Sequence, residues 1–446
     1  MSAAAEHELT TLPSGVRVVT QHVPGVRSVA LGFWIANGSA DEQPAQAGIS
    51  HLLEHMLFRG SARYESEEID QIFDAMGAEI NAGTDKEATS LYTRVLDRHL
   101  ERAFDVMADM LWHPRLDQLE AERAVVLEEI AMYEDDPQDR VFDLLGGAVF
   151  GEHPLGRAVI GEGAVVAATT REQLSRFHAQ RYLPERIVIS AAGSVAHDEL
   201  VHMARAADPA PAGSAAPSVQ RQPRPDFTRR VRFLRKDTEQ YHVCIGGPGL
   251  ARDDERRFAL RVLEGVLGGT SSSRLFLEVR ERRGLAYAVF CFSNLFARTG
   301  EVGVYLGTRP ENLREAMAVV ASELERITRQ AASAEELERS RENLKGRVVL
   351  SMESTASRMT YLGGSMLNGL PILSVDELIE RIDSVRMEEL SELANELYTP
   401  GGLSMAGVGP DEGDFLVAVE PLGAGAEERG AGGEQRADAV AGEPVG

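Results

Sequence analysis

The chain has 446 residues, more than one compact core usually organises, and its 43% hydrophobic and 26% charged residues are those of a globular protein. Its net charge of −24 argues against nucleic acid as a partner, because a phosphate backbone requires a basic stripe and none is evident. The two cysteines, Cys244 and Cys291, cannot build a disulfide framework and have no zinc-type spacing, so both are expected as small core residues.

The N-terminal residues form neither a basic nor an apolar segment of the signal-peptide kind. No run approaches the roughly 18 apolar residues of a membrane span, so a cytoplasmic protein without one is expected. Strand-like alternation appears at 16–21 and 29–36. Helical periodicity predicts helices over 46–58, 66–76, 98–112 and 116–134, with a hairpin at 79–95. A further helix ends at Tyr182-Leu-Pro184, and an apolar strand follows at 187–192. From about Ala206 to Pro225 the sequence turns Pro/Ala-rich, a composition that neither pairs in a sheet nor continues a helix. The second half reopens with strands at 231–234 and 241–246, and the final Gly/Ala/Glu-rich stretch has no periodicity.

A linker at the midpoint invites a search for a repeat. Leu174, Tyr182, Pro184 and Gly193 recur 216 positions later as Leu390, Tyr398, Pro400 and Gly409. The segment beginning at His51 recurs 210 positions later, with Arg261 in place of His51 and Gly265 in place of His55. The expected organisation is a first α+β domain at 1–208, a linker at 209–228, a degenerate second copy at 229–422 and a disordered tail at 423–446. Strands and helices in blocks with hairpins between them predict mostly antiparallel sheets.

The chemistry concentrates in His51-Leu-Leu-Glu54-His55. On a helix, residues four apart share a face, so both imidazoles can reach one metal ion. Glu54 beside them can take a proton from a metal-activated water. A third protein ligand is needed, and the helix over 116–134 offers Glu122 and Glu129, two turns apart on one face. Glu129 is expected on the buried side, between Val125 and Val126, as the ligand, because a buried carboxylate is costly unless paired or metal-bound. Glu122 is expected to orient a ligating imidazole, and Glu128 to face solvent.

His51-x-x-Glu54-His55 followed by Glu122 and Glu129 resembles the inverzincin signature of the pitrilysin-type (M16) metallopeptidases, and the likeness extends over about 8–420. The resemblance implies a zinc endopeptidase of the short processing-peptidase branch. Its α+β fold would have two homologous half-domains of the LuxS/metallohydrolase type, each a mostly antiparallel sheet packed with helices. It implies one zinc ion on His51, His55 and Glu129, with Glu54 as general base. It also implies that Asn81 and Ala82 lie where an edge strand receives the substrate backbone, and that Arg280 and Tyr287 reach the substrate from the second copy. Unfolded or presequence-like peptides would enter a chamber closed by a homodimer or a related subunit; a non-catalytic scaffold subunit is the alternative. The remaining histidines form no second cluster, and His113-Pro114 and His153-Pro154 are expected at turns.

Overall fold

The computed structural model describes residues 7–209 and 225–423. Most of the expected linker, and the expected tail beyond Gly423, lie outside the described residues. The first half runs β1 (Glu8–Thr11), β2 (Arg17–His22), β3 (Ser28–Ile35), α1 (Ile49–Leu57) and α2 (Ser66–Met76). The hairpin β4 (Ile80–Thr84) and β5 (Thr89–Leu96) follows, then α3 (Leu100–Trp112), α4 (Leu119–Asp135) and α5 (Pro137–Phe150). It continues through α6 (Gly163–Ala168), α7 (Arg171–Arg181), β6 (Ile187–Gly193) and α8 (His197–Ala206). The second half runs β7 (Val231–Arg235), β8 (Tyr241–Gly249), α9 (Arg257–Leu267), β9 (Ala286–Leu295), β10 (Gly300–Thr308) and α10 (Leu313–Arg329). It ends with α11 (Ala334–Ser351), α12 (Thr355–Leu367), α13 (Val375–Asp383), α14 (Met387–Leu397), β11 (Ser404–Gly409) and α15 (Glu412–Val419).

The two sheets have strand orders β1-β2-β6-β3-β5-β4 and β7-β11-β8-β10-β9. Apart from β1, one order maps onto the other strand for strand. Only β2–β6 and β7–β11 are parallel. The repeat residues hold matching places: Leu174 and Leu390 are fully buried, as are nearly all of Tyr182 and Tyr398. The architecture is therefore α+β, with two half-domains of one topology.

Three helices start later than their periodicity predicts, each for a local reason. Pro44–Gln46 is a 3-10 turn and Gly48 has φ 96°, a left-handed conformation that delays α1 to Ile49. Asp97–His99 is also a 3-10 turn and delays α3. Leu116 has φ 56°, which no α-helical residue can adopt, and α4 begins only at Leu119.

Each half lends a helix to the other. α5 leaves the first half and lays Val141, Leu145 and Val149 against Cys244, Tyr305, Ala406 and Val408 of the second sheet. In return α12 lays Met359 and Leu362 over Val19, Ala30, Val188 and Ala192 of the first sheet. Gly363 permits that approach, because a Cβ there would stand 2.0 Å from the Trp34 indole nitrogen. Each valine, leucine and methionine among these contributes about 1.5–3 kcal/mol on removal from water, so the exchange joins the halves into one unit. Cys244 is core, as expected, whereas Cys291 is only half-buried at its edge. Among the described residues no helix is long and apolar enough to cross a membrane.

Candidate metal centre

α1 carries His51 and His55 one turn apart on the face turned to α4, their ring centroids 4.6 Å from each other. The N-cap of α1, Gly48, has no side chain to cap the helix, and the carboxylate of Glu42 does so instead. It accepts from the Gly48 N–H at 2.9 Å and the Ser50 N–H at 2.8 Å, where negative charge complements the helix dipole. Burial raises Glu42 to about 7 even against those two bonds.

α4 crosses α1 and supplies both carboxylates from one face. Glu129 places one oxygen 3.7 Å from His51 Nε2 and the other 3.3 Å from His55 Nε2. Ligand atoms of His51, His55 and Glu129 all fall within 4.8 Å of one another. Two donors on one tetrahedral zinc ion stand roughly 3.3 Å apart, so this set needs little adjustment to hold one. Glu129 is not on the buried side as expected: its side chain is 31% exposed and Val125 is 49% exposed, while Val126 is buried. The apolar stripe of α4 is interrupted there, because the helix borders a cavity and not continuous core. Glu128 faces solvent, as expected.

Glu122 is the buried carboxylate of the pair, at 3% exposure. Its Oε1 lies 2.8 Å from His55 Nδ1, and its other oxygen pairs with the Arg59 guanidinium. A proton on Nδ1 leaves the Nε2 lone pair aimed towards Glu129. Burial opposes the charged form of His55, but the Glu122 hydrogen bond and the carboxylates of Glu54 and Glu129 outweigh it and raise its pKa. Burial also opposes ionised Glu122, yet His55 and Arg59 hold it below the usual carboxylate range. His51 is pushed down to about 4 by burial and by the neighbouring His55, so its imidazole is neutral, with Nδ1 buried and unpartnered. Two neutral-capable imidazoles and a carboxylate form a donor set that suits zinc.

Glu54 is 8% exposed, and its Oε2 accepts the Thr84 hydroxyl at 2.6 Å. Burial raises its pKa, with the Thr84 bond pulling the other way. Thr84 ends β4, one of the two edge strands of the first sheet. The cavity in front of these residues has a volume of about 500 Å³. Its walls include Ala82, Gly83 and Thr84 of β4 and Asp139, Phe142 and Asp143 of α5.

Of the other residues implied by resemblance, only Ala82 reaches this cavity. Asn81 is exposed on the alternate face of β4, where its Oδ1 accepts from the Ala82 N–H at 2.8 Å. Arg280 and Tyr287 stand together elsewhere. The guanidinium lies 4.4 Å from the tyrosine ring centroid and donates to the Tyr287 carbonyl at 3.1 Å, and Tyr287 is 77% exposed. Sequence reasoning missed Glu42, Arg59, Thr84, Asp139 and Asp143. Only the last two had a signal, an i, i+4 acidic pair just after the Asp136-Pro137 helix start.

Residues 17–163 match the family described as Insulinase (Peptidase family M16), and residues 168–344 match the Peptidase M16 inactive domain. A protein named as an uncharacterized zinc protease of Streptomyces coelicolor is 42% identical over 87% of this chain and 86% of its own length. Another so named, YmxG of Bacillus subtilis, is 39% identical over 87% of this chain and 95% of its own. A peptidase M16 inactive domain from Pseudomonas fluorescens superposes with a TM-score of 0.84 at 22% identity, over 91% of this chain and 98% of that one. A protease from Helicobacter pylori does so at 0.84 and 20% identity, over 91% and 99%. Two adjoining family matches, near-full-length relatives and a shared fold converge on one conclusion: the chain belongs to peptidase family M16, the insulinase family.

Proposed function

We propose that the chain is a zinc-dependent endopeptidase that hydrolyses unfolded or presequence-like peptides. The observation that carries this reading is the convergence of His51, His55 and Glu129 in front of a buried Glu54. In this reading those three residues hold the metal, and Glu122 fixes the His55 tautomer. Zinc held there supplies Lewis acidity, which acidifies water and polarises a carbonyl. Glu54 takes the proton of the attacking water and passes it to the departing amine nitrogen. The Thr84 hydroxyl orients Glu54 for both transfers. A peptide adds to the free edge of β4 through main-chain hydrogen bonds, which admit extended chains and exclude folded ones. Asp139 on the facing wall favours a cationic side chain near the cut, whereas the charge of Asp143 is offset by Lys86 and Arg140. Glu129 remains part-exposed in a single chain, so closing the chamber falls to a second copy or a related subunit.

A scaffold subunit without catalysis is the second reading, favoured by the inactive-domain match over 168–344. Cleavage of a quenched fluorescent basic peptide separates the two, measured on wild type and Glu54→Gln with zinc content determined for each. The peptidase reading predicts zinc in both proteins and turnover reduced about 10²–10⁴-fold in the variant. Equal turnover would refute the role of Glu54; zinc without turnover in wild type would favour the scaffold.

A further inference from the structure

The second half meets the metal-bearing half at the tip of the β4–β5 hairpin. Glu87, in the turn between those strands, pairs its Oε2 with Arg252 Nη2 of the second half at 2.6 Å. The same carboxylate accepts from the Ala297 N–H at 2.9 and 3.1 Å. Arg252 is itself fixed: another guanidinium nitrogen donates to Asn368, just past the end of α12, and its backbone N–H donates to the Phe296 carbonyl at 2.8 Å. Both side chains are about three-quarters buried, at 24% and 22% exposure, so water screens the pair less than it screens a surface ion pair.

Three residues before Glu87 stands Thr84, whose hydroxyl holds Glu54. The strand between Ala82 and Thr84 is the cavity wall on which a peptide would add. The hairpin tip, the residue that holds Glu54 and the candidate substrate edge thus share one short segment, residues 82–87. On its other side the tip is also held by the first half, through Ser39 N–H to the Asp85 carbonyl at 3.1 Å, Ala40 N–H to the Lys86 carbonyl at 2.8 Å and the Lys86 ammonium to the Arg157 carbonyl.

We infer that Arg252 and Glu87 form a clasp by which the metal-free half positions Thr84, and through it Glu54 and the substrate edge, for peptide hydrolysis. They are positioning residues, and this role rests on the peptidase reading. Charge-assisted, two-point hydrogen bonding restricts the tip's orientation as well as its distance.

The test is a double-mutant cycle of Arg252→Ala, Glu87→Ala and the double variant, with Arg252→Lys as the conservative control. Three quantities are read: the kcat and KM of the quenched peptide, zinc content, and amide hydrogen exchange. The expected result is a fall of about 10-fold in kcat in either single variant, with zinc content unchanged. Exchange should accelerate at residues 83–88 and not in β3 or α3. The double variant should lose no more than the singles, and Arg252→Lys should recover part of the loss. Additive losses, or a lowered melting temperature with kcat and local exchange unchanged, would overturn the inference. If wild type itself fails to cleave, the peptidase reading fails; unaltered exchange at residues 83–88 then overturns the clasp, and accelerated exchange there upholds it as a holder of the edge strand.

Discussion

α1 and α9 are the same helix in two copies, and they have had opposite fates. In α1, Glu54 sits between two imidazoles and opens onto a cavity. In α9 its counterpart, Glu264, is just as buried at 6%, but Arg261 replaces the first histidine and Gly265 the second. The Arg261 guanidinium lies 3.6 Å from Glu264, and α11 packs against α9 with Ser340 facing Gly265. A Cβ on Gly265 would come within 2.2 Å of Ser340 Oγ, which donates to the Val262 carbonyl at 2.7 Å. The duplicated backbone persists while the space for a metal has been filled. What distinguishes a chemical half from a supporting half is therefore packing between two helices, not topology.

Removing the support of the first site should have the larger effect. Glu122→Ala leaves Arg59 without its buried partner and frees the His55 tautomer, so zinc affinity should fall about 10–100-fold. A competition titration against a chelator measures this, and unchanged affinity would show that His55 is oriented by α1 alone. Rebuilding the second site should fail for steric reasons. Gly265→His must displace Ser340 and should cost about 1–3 kcal/mol by thermal unfolding, without gaining a metal. A stable variant that binds a second zinc would mean the α9–α11 contact is looser than it stands.

The smallest effect is a pH dependence, with one contribution from each half. Glu42 beside α1 and Glu301 on β10 are both raised from 4.5 to about 7, chiefly by burial. Between those values the folded chain keeps protons that the unfolded chain releases. Their contribution to stability is therefore full below pH 4.5 and is lost as pH rises through about 7. Glu301→Gln keeps a partner for Asn294 and should flatten part of this slope in melting-temperature measurements from pH 4.5 to 7.5. A wild-type advantage over the variant that grows with pH would contradict the sign.

The parts legible in the sequence were those that one helix determines. His51, Glu54 and His55 are fixed by an i, i+4 spacing, and Glu122 and Glu129 by two turns of α4. The repeat was legible because Tyr182 and Tyr398 end equivalent helices in equivalent cores. The exchange of α5 and α12 was not, since periodicity reveals an apolar face but not the sheet it covers. The same limit hid the Thr84–Glu54 bond, made by residues 30 apart along the chain, while the Glu42 cap was hidden because it reaches over an irregular turn of six to eight residues. Asn81 illustrates a third limit: the strand was legible, but the face that each alternate residue presents depends on register with β5.

One copy of the fold should hold a metal and the other should not. Zinc content after chelation and reloading tests it most directly, in wild type, His51→Ala, His55→Ala and Glu264→Gln. One zinc per chain is expected in wild type and Glu264→Gln, and none in either histidine variant. Zinc retained without His51 or His55, or a stoichiometry that depends on Glu264, would contradict it.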